Sequence, residues 1–333
     1  MQRFLPSRPT HNFAKATLRN LQPALSSYSL AAVLAFSSLS AGKDSHTSPH
    51  SQLFRGKVEM VVVGASVTDS LNNRVGGLEK EHFKVFENKV EQTITYFSSD
   101  GAPLSIGIIF DVSGSMAVNL VSARNSVVKF LRQGTPQDEY FLMTFNDRVT
   151  LAQDFTPATA EIRNQIGLVR AGGRTALYDA VYAGLQKLSE AHNARKALVV
   201  VTDGAENSSR YSFSDLREVA GESNAQIYFI GHGLKPAGPP IWPSFPQPYG
   251  GAVMNGIASL TGGRAFFTRN LNSLDYYFDL VYTELRDQYV LGYTPTNITY
   301  DGKWRRIRVQ VNPPEGFAKV SVRARERYLA PRR

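Results

Sequence analysis

A regular alternation of apolar and amphipathic segments between residues 103 and 287 limits the folds that are open to this chain. The runs "PLSIGIIFDVS", "KALVVVTDG" and "AQIYFIGHG" are apolar on both faces, which predicts strands buried inside a sheet. Between such runs, "AVNLVSARNSVVKFLRQG" (117–134) and "TALYDAVYAGLQKLSEA" (175–191) have helical spacing. Strands that alternate with helices predict an α/β fold with a doubly wound, mostly parallel, Rossmann-like sheet.

The two flanks of this α/β segment have a different, β-rich pattern. Residues 55–98 and 288–330 contain short alternating segments such as "HFKVFEN" and "KWRRIRVQV". Each flank alone is small for an independent sheet. We therefore expect the flanks to pair into one β accessory domain, with the α/β domain (100–287) inserted between its halves.

The N-terminal 42 residues have the order of an export signal. Basic residues come first, at Arg3, Arg8, Lys15 and Arg19. The apolar run "SLAAVLAF" (29–36) and the small residues of "SSLSAG" follow them. This order indicates a cleaved signal peptide, with an uncleaved N-terminal anchor and an organelle transit peptide as alternatives. The predicted location is therefore extracytoplasmic: periplasmic, secreted or anchored through the N-terminus. Residues 43–54 are predicted to be a disordered linker.

Charge and cysteine content exclude several classes of function. The net charge is +9, but residues 58–300 carry 20 Lys and Arg against 24 Asp and Glu. A mildly acidic central region argues against nucleic-acid binding. Cysteine is absent, which excludes disulfides, thiolate zinc sites and a thiol nucleophile.

Polar side chains collect where two of the predicted strands end. "FDVSGSM" places Asp111, Ser113 and Ser115 after the first strand, and "TDG" places Asp203 after a later one. Thr175, in "GGRTAL", begins a predicted helix. The carboxyl ends of parallel strands share one edge of a sheet, so these residues are expected in one crevice. Hydroxyl and carboxylate oxygens are ligands that Mg²⁺ accepts.

This combination of "DVSGS", Thr175 and Asp203 resembles the von Willebrand factor A family and its metal-ion-dependent adhesion site, over residues 100–287. The resemblance implies Mg²⁺, with Mn²⁺ or Ca²⁺ as alternatives, held by Asp111, Ser113, Ser115, Thr175 and Asp203. It also implies that at least one carboxylate acts through water, and that an Asp or Glu of a protein partner fills an open position. Phrases such as "GLEKEHFKVFEN" resemble a narrower bacterial group of related proteins that is abundant in Acidobacteria.

Several neighbouring residues are candidates for ligand contact. Arg174 either points into the crevice, where it would pair with an acidic ligand, or points into solvent. Glu206 either adds negative potential or lies on the surface. The Pro-rich loop 234–251 is expected either to form a partner-contacting lip or to be a disordered insertion; its aromatic residues are Trp242, Phe245 and Tyr249.

Arginines alternate with apolar residues near the C-terminus. If the strands that carry them are neighbours, they form one basic face; they are Arg306, Arg308, Arg323, Arg325 and Arg327. Such a face would contact an anionic envelope surface or remain simply solvated.

The sequence thus predicts an exported, metal-dependent protein-binding or adhesion module rather than an enzyme. A phosphate-binding loop and a G-x-S-x-G nucleophile elbow are absent from the sequence. A haloacid-dehalogenase-type phosphatase would need a second Asp where Ser113 stands. The alternatives are a metal-dependent phosphoester hydrolase and a scaffold with a purely structural metal.

Overall fold

The computed structural model describes residues 60–71, 73–99, 101–203, 206–232, 250–270, 273–314 and 319–332. All of them belong to one compact unit, Ser48–Arg333. The predicted signal (1–42), linker (43–54) and lip residues Trp242, Phe245 and Tyr249 lie outside the described residues. Within the described ranges, no helix is both long and apolar enough to cross a membrane.

The described strands, in chain order, are β1 (Val61–Thr68), β2 (Phe83–Glu87), β3 (Val90–Gln92), β4 (Ile94–Ser98), β5 (Leu104–Asp111), β6 (Glu139–Phe145), β7 (Val149–Thr156), β8 (Arg195–Thr202), β9 (Gln226–His232), β10 (Ala265–Thr268), β11 (Tyr289–Tyr293), β12 (Trp304–Val311), β13 (Ser321–Ala324) and β14 (Arg327–Leu329). The helices are α1 (Leu120–Arg132), α2 (Thr159–Leu168), α3 (Leu177–Leu188), α4 (Phe213–Glu222), α5 (Gly250–Thr261) and α6 (Leu274–Arg286).

The central sheet has six strands in the order β10-β9-β8-β5-β6-β7, and only the edge strand β7 is antiparallel. All eight residues of β5 are buried, as the run "LSIGIIFD" predicts for a strand covered on both faces. Helices α1, α2 and α6 pack on one face, and α3, α4 and α5 pack on the other. The predicted α/β doubly wound fold is confirmed.

The order of strands reverses between β5 and β8, which are neighbours in the sheet although β6 and β7 separate them along the chain. From β5 the chain moves outward through β6 and β7, then returns to the other side of β5 as β8. In open α/β sheets, ligands bind in the crevice outside the carboxyl ends of the strands at such a reversal. Asp111 ends β5 and Thr202 ends β8, so both residues lie at this crevice.

The two flanks contribute to two further antiparallel sheets, in the orders β13-β1-β11-β4 and β14-β12-β2-β3. Strand β1 pairs with β11, and β2 pairs with β12, so each sheet combines strands from before and after the α/β segment. Apolar side chains of both sheets form one shared core, which includes Val63, Val85, Leu291 and Ile307. The domain boundaries remain a prediction.

The predicted single basic face is wrong. The segment "FAKVSVRARERYL", expected as one strand, forms the two strands β13 and β14, which belong to different sheets. Arg325 lies between them and is buried, and its guanidinium donates to the Gly221 carbonyl oxygen over 3.0 Å. Because the chain changes sheets here, period-two alternation does not continue through the segment.

The other four arginines of this group have separate surroundings. Arg306 and Arg308 are exposed on β12. Arg323 forms an ion pair with Glu284 of α6 at 2.6 Å. Arg327 lies over the Trp304 ring, 5.4 Å from its centroid. Two exposed arginines on one strand are a much smaller basic surface than the sequence predicts.

Candidate metal centre

Asp111 occupies the buried end of β5 and is held by two hydrogen bonds. The Ser113 backbone N–H donates to Asp111 Oδ1 over 2.7 Å, and Thr202 Oγ1 of the neighbouring β8 donates to Oδ2 over 2.6 Å. The first bond turns the chain directly after the strand, as Asp side chains do in turns. The second fixes the carboxylate to the adjacent strand, so its orientation is set before any ligand arrives.

Burial raises the pKa of Asp111 to about 6. Hydrogen bonds from Thr202 and Ser113 oppose this rise, and the negative charge of Asp203 adds to it. A carboxylate taken out of water is costly unless a cation or hydrogen bonds compensate for its charge. The surroundings of Asp111 therefore suit a bound cation.

The two serines of the motif lie on the turn that follows β5. Ser113 is buried, whereas Ser115 is exposed within the short 3₁₀ helix Gly114–Val118. Their Oγ atoms are 3.2 Å apart. Two neutral oxygens are thus next to each other beside a buried carboxylate.

The loop before α3 is bound to this turn through its backbone. Gly114 N–H donates to the Gly173 carbonyl oxygen over 3.0 Å, and Gly172 N–H donates to the Val112 carbonyl oxygen over 2.8 Å. Gly173 has a φ of +86°, which favours glycine. Through these contacts, the loop places the buried Thr175 near the edge of the central sheet at which Asp111 ends β5.

Asn207, which follows β8, holds Thr175 on its other side. The Thr175 N–H donates to Asn207 Oδ1, and the Asn207 N–H donates to the Thr175 carbonyl oxygen, each over 3.0 Å. The loop is therefore bound both to the turn after β5 and to the segment after β8. The Thr175 backbone is consequently fixed from two directions.

Asp203 follows β8 directly, and its Oδ1 atom is buried without a hydrogen-bond partner among the described residues. A buried carboxylate oxygen in a native structure normally has a hydrogen-bond partner or a metal ion. His232, at the end of β9, also has a buried and unpaired Nδ1 atom in the described part of the chain. The register Thr202↔Gly231 makes Asp203 and His232 lateral neighbours at the same edge.

The structure thus brings the segments of all five predicted ligands to one edge of the sheet. The two carboxylates and three hydroxyls that these residues carry are hard oxygen ligands, of the kind that suits Mg²⁺, Mn²⁺ or Ca²⁺. No group of three or more His, Cys, Asp and Glu side chains suited to a metal occurs among the described residues. The fit to a hard cation rests on the chemistry of the carboxylate and hydroxyl oxygens alone.

Arg174 and Glu206 both take part in local contacts. The exposed Arg174 guanidinium donates to the Asn207 carbonyl oxygen. Glu206 is not a free surface carboxylate, since it accepts hydrogen bonds from Ser208, Ser209 and the Tyr178 backbone N–H. The last of these satisfies one of the unpaired N–H groups in the first turn of α3. Glu206 therefore orders the helix start, which sequence reasoning did not anticipate.

Sequence reasoning also missed the supporting residues Thr202, Asn146 and Asn207. Asn146 Nδ2 donates to the Gly172 carbonyl oxygen over 2.8 Å. The backbone carbonyl oxygen of Asn146 accepts from the Ala176 N–H over 2.7 Å. The only signal for these residues was their position just after, or at the end of, a predicted strand. Asn and Thr are common there for many reasons.

A search of curated protein sequences gives no match to this chain. Among solved structures, BatB, a conserved hypothetical protein from Bacteroides thetaiotaomicron, is 15% identical, with 55% of this chain and 98% of that chain covered and a TM-score of 0.44. The vWF domain of the type V pili tip protein Mfa5 from Porphyromonas gingivalis is 13% identical, with 55% and 94% covered and a TM-score of 0.43. A von Willebrand factor type A protein from Catenulispora acidiphila is 12% identical, with 83% and 74% covered and a TM-score of 0.48.

Family membership rests on the sequence itself. The sequence profile of the von Willebrand factor type A domain matches residues 105–279, which is more than half of the chain. This range runs from β5 to α6 and contains every predicted metal ligand. The finer grouping with proteins abundant in Acidobacteria remains a prediction. The chain belongs to the von Willebrand factor type A domain family.

Proposed function

We propose that this chain is an exported, divalent-cation-dependent protein-binding module. Asp111, Ser113, Ser115, Thr175 and Asp203 would hold Mg²⁺, with Mn²⁺ or Ca²⁺ as substitutes. An Asp or Glu side chain of a protein partner would complete the site. The bound cation would supply a positive charge that recognises this carboxylate.

The observation that carries the proposal is the unpaired Oδ1 atom of Asp203, buried at the same edge as Asp111. The negative charge of Asp203 raises the pKa of Asp111, so the two carboxylates are close enough to repel each other. Such a pair is stable in its charged form when a cation lies nearby. The adjacent serine hydroxyls add ligands without adding negative charge.

This chain's own residues would order the site rather than react. Thr202 and the Ser113 N–H hold Asp111, and Asn207 holds the backbone of Thr175. Glu206 accepts four hydrogen bonds near the start of α3 and is poorly suited to act as a base. These features favour binding over hydrolysis.

Titration calorimetry with Mg²⁺ and Mn²⁺ tests the metal site directly. The wild-type chain should bind one ion, and Asp203→Asn and Ser113→Ala should each lose measurable binding. Asp147→Asn is the matched control because Asp147 is an exposed carboxylate at the same rim. Binding that is unchanged in Asp203→Asn and Ser113→Ala would refute the proposed ligand set.

Two further measurements separate the alternatives. Metal-dependent turnover of a phosphate ester that is lost in Asp203→Asn would favour a hydrolase. A purely structural metal would be favoured if chelator lowered the melting temperature but binding to acidic partners did not require metal. Export is tested by cell fractionation and by sequencing the mature N-terminus.

A further inference from the structure

Three exposed aliphatic side chains lie on segments that adjoin the turn after β5, at the start of α1 and the end of α2. Val118 is 86% exposed, Val121 is 65% exposed and Leu168 is 73% exposed. We call these three residues the aliphatic patch. Isolated apolar side chains are normal on a protein surface, whereas apolar patches rimmed by polar residues are typical of surfaces that contact a partner.

The backbone contacts of the surrounding loops bring the patch together. Val118 ends the 3₁₀ helix that contains Ser115, and Val121 lies in the first turn of α1. Arg124, one helical turn after Val121, donates to the carbonyl oxygen of Val169, the residue after Leu168. The end of α2 is therefore held against the beginning of α1, next to the metal-site turn.

Exposed arginines lie along the loops that adjoin the same crevice. The Arg148 side chain is 88% exposed, and its only ion pair among the described residues is a long one of 4.0 Å with Asp147. Arg170 and Arg174 are also exposed, and within the described ranges neither has a carboxylate partner. We call Arg148, Arg170 and Arg174 the arginine patch.

Hydrogen bonds show that the arginine patch borders the metal-site loop. Arg170 and Arg174 flank the two glycines whose backbone is bonded to the turn after β5. Asn146, two residues before Arg148, donates to the carbonyl oxygen of Gly172. This basic surface stands out because residues 58–300 as a whole carry more acids than bases.

We propose that these two patches select the partner of the metal site. The preferred ligand is a protein segment in which the metal-binding Asp or Glu lies between an aliphatic side chain and a second acidic side chain. The aliphatic side chain would pack on the aliphatic patch, and the second carboxylate would pair with the arginine patch. This inference rests on the proposed function, because it assumes that a carboxylate reaches the bound cation.

A random peptide library displayed on phage tests the selection and needs no purified partner. The full wild-type chain is immobilised, phage are bound in Mg²⁺ and eluted with chelator, and the recovered sequences are compared with the starting library. We expect enrichment of an acidic residue together with a nearby aliphatic residue and a second acid. A synthetic peptide of the enriched sequence then serves as the probe for affinity measurements.

Two double variants assign each preference to its patch. The double variant Val118→Ser with Val121→Ser should bind the synthetic peptide about tenfold more weakly. In a new selection it should no longer prefer peptides with an aliphatic residue. Arg148→Gln with Arg170→Gln should remove the preference for a second acid and flatten the salt dependence of binding. Ile298→Ser and Arg132→Gln, which change exposed residues elsewhere, are the matched controls.

The outcomes separate this inference from the proposed function. Acidic peptides without the two flanking preferences would overturn the selection by the patches and leave the metal-dependent function intact. The selection by the patches would also be overturned if the double variants bound the enriched peptide as tightly as the wild type does. The same holds if calorimetry showed Mg²⁺ binding but no peptide were eluted by chelator. A wild-type chain that binds no Mg²⁺ would instead refute the proposed function itself.

Discussion

Gly173 is the position where a single methyl group should disturb the candidate metal centre most selectively. It lies two residues before Thr175 and accepts the Gly114 N–H through its carbonyl oxygen. Its φ is +86°, a conformation that residues with a side chain rarely adopt. A Cβ atom built there would lie 2.5 Å from Asp147 Oδ1 and 3.0 Å from Asn146 Nδ2.

The cost of Gly173→Ala has two parts. Positive φ costs an alanine about 1 kcal/mol. The exposed Asp147 side chain can move away cheaply, but Asn146 Nδ2 donates to the Gly172 carbonyl oxygen and cannot move without losing that bond. Its loss adds about 1 kcal/mol. We therefore expect Gly173→Ala to destabilise the fold by about 2 kcal/mol and to lower the melting temperature by about 4–8 °C.

Two other glycines provide matched controls. Gly77 has a φ of +74° and no atom within 4 Å of the position that its methyl group would take, so Gly77→Ala should show the conformational cost alone. Gly172 lies in the same loop, with open space around its Cβ position and no positive φ, so Gly172→Ala should be close to neutral.

Thermal unfolding of the three variants, with and without Mg²⁺, measures these differences. Gly173→Ala should also weaken Mg²⁺ binding about tenfold or more, since residues that support metal ligands typically affect affinity to this degree. If Gly173→Ala were as stable as Gly172→Ala, neither the positive φ nor the contact with the Asn146 side chain would carry the cost assigned to it, and the reasoning would be refuted.

Three other predictions concern the packing, the pH dependence and the metal. Gly221→Ala should cost at least about 2 kcal/mol, because its Cβ would lie 2.0 Å from the rigid ring of Trp304, whereas Gly256→Ala, with its nearest atom at 4.0 Å, should not destabilise; denaturant unfolding compares them. Burial and then a neighbouring carboxylate raise the pKa of Glu222 from 4.5 to about 7, so its charge costs stability progressively as pH rises through this range. Glu222→Gln should therefore gain about 1 kcal/mol at about pH 8, after allowance for solvent screening, and nothing at about pH 4; an equal gain at both would contradict this cause. Chelator should lower the melting temperature of the Mg²⁺-loaded wild type but leave that of Asp203→Asn unchanged, and an equal fall in both would exclude Asp203 as a ligand.

The central α/β fold was predictable because its signals are local. A strand that is buried on both faces must be apolar throughout, as β5 is, and an amphipathic helix such as α1 must repeat its apolar residues every three or four positions. The carboxyl ends of parallel strands lie at one edge of a sheet, so the sequence alone predicts that Asp111 and Asp203 lie at the same edge. The β-rich flanks were recognisable for the same reason.

The C-terminal arginines show where local signals fail. Alternation along "KVSVRARER" is compatible with one exposed basic face, yet the chain changes sheets at Arg325 and buries that side chain against Gly221. The choice between one strand and two depends on which distant strands are available as partners, β1 for β13 and β12 for β14. Which strand pairs with which distant strand does not change the alternation of polar and apolar residues within either segment, so this alternation does not predict the pairing.

The class of fold, the family and the residue types that could hold a hard cation can all be read from the amino-acid sequence, because periodicity and strand-end chemistry are properties of short segments. The atoms that support those residues become evident only in the folded chain. Glu206 orders the start of α3 through Tyr178, and Asn207 fixes Thr175, across sequence separations of 28 and 32 residues. A hydrogen bond depends on distance and direction in space, so partners so far apart in the chain become identifiable only when the chain is folded.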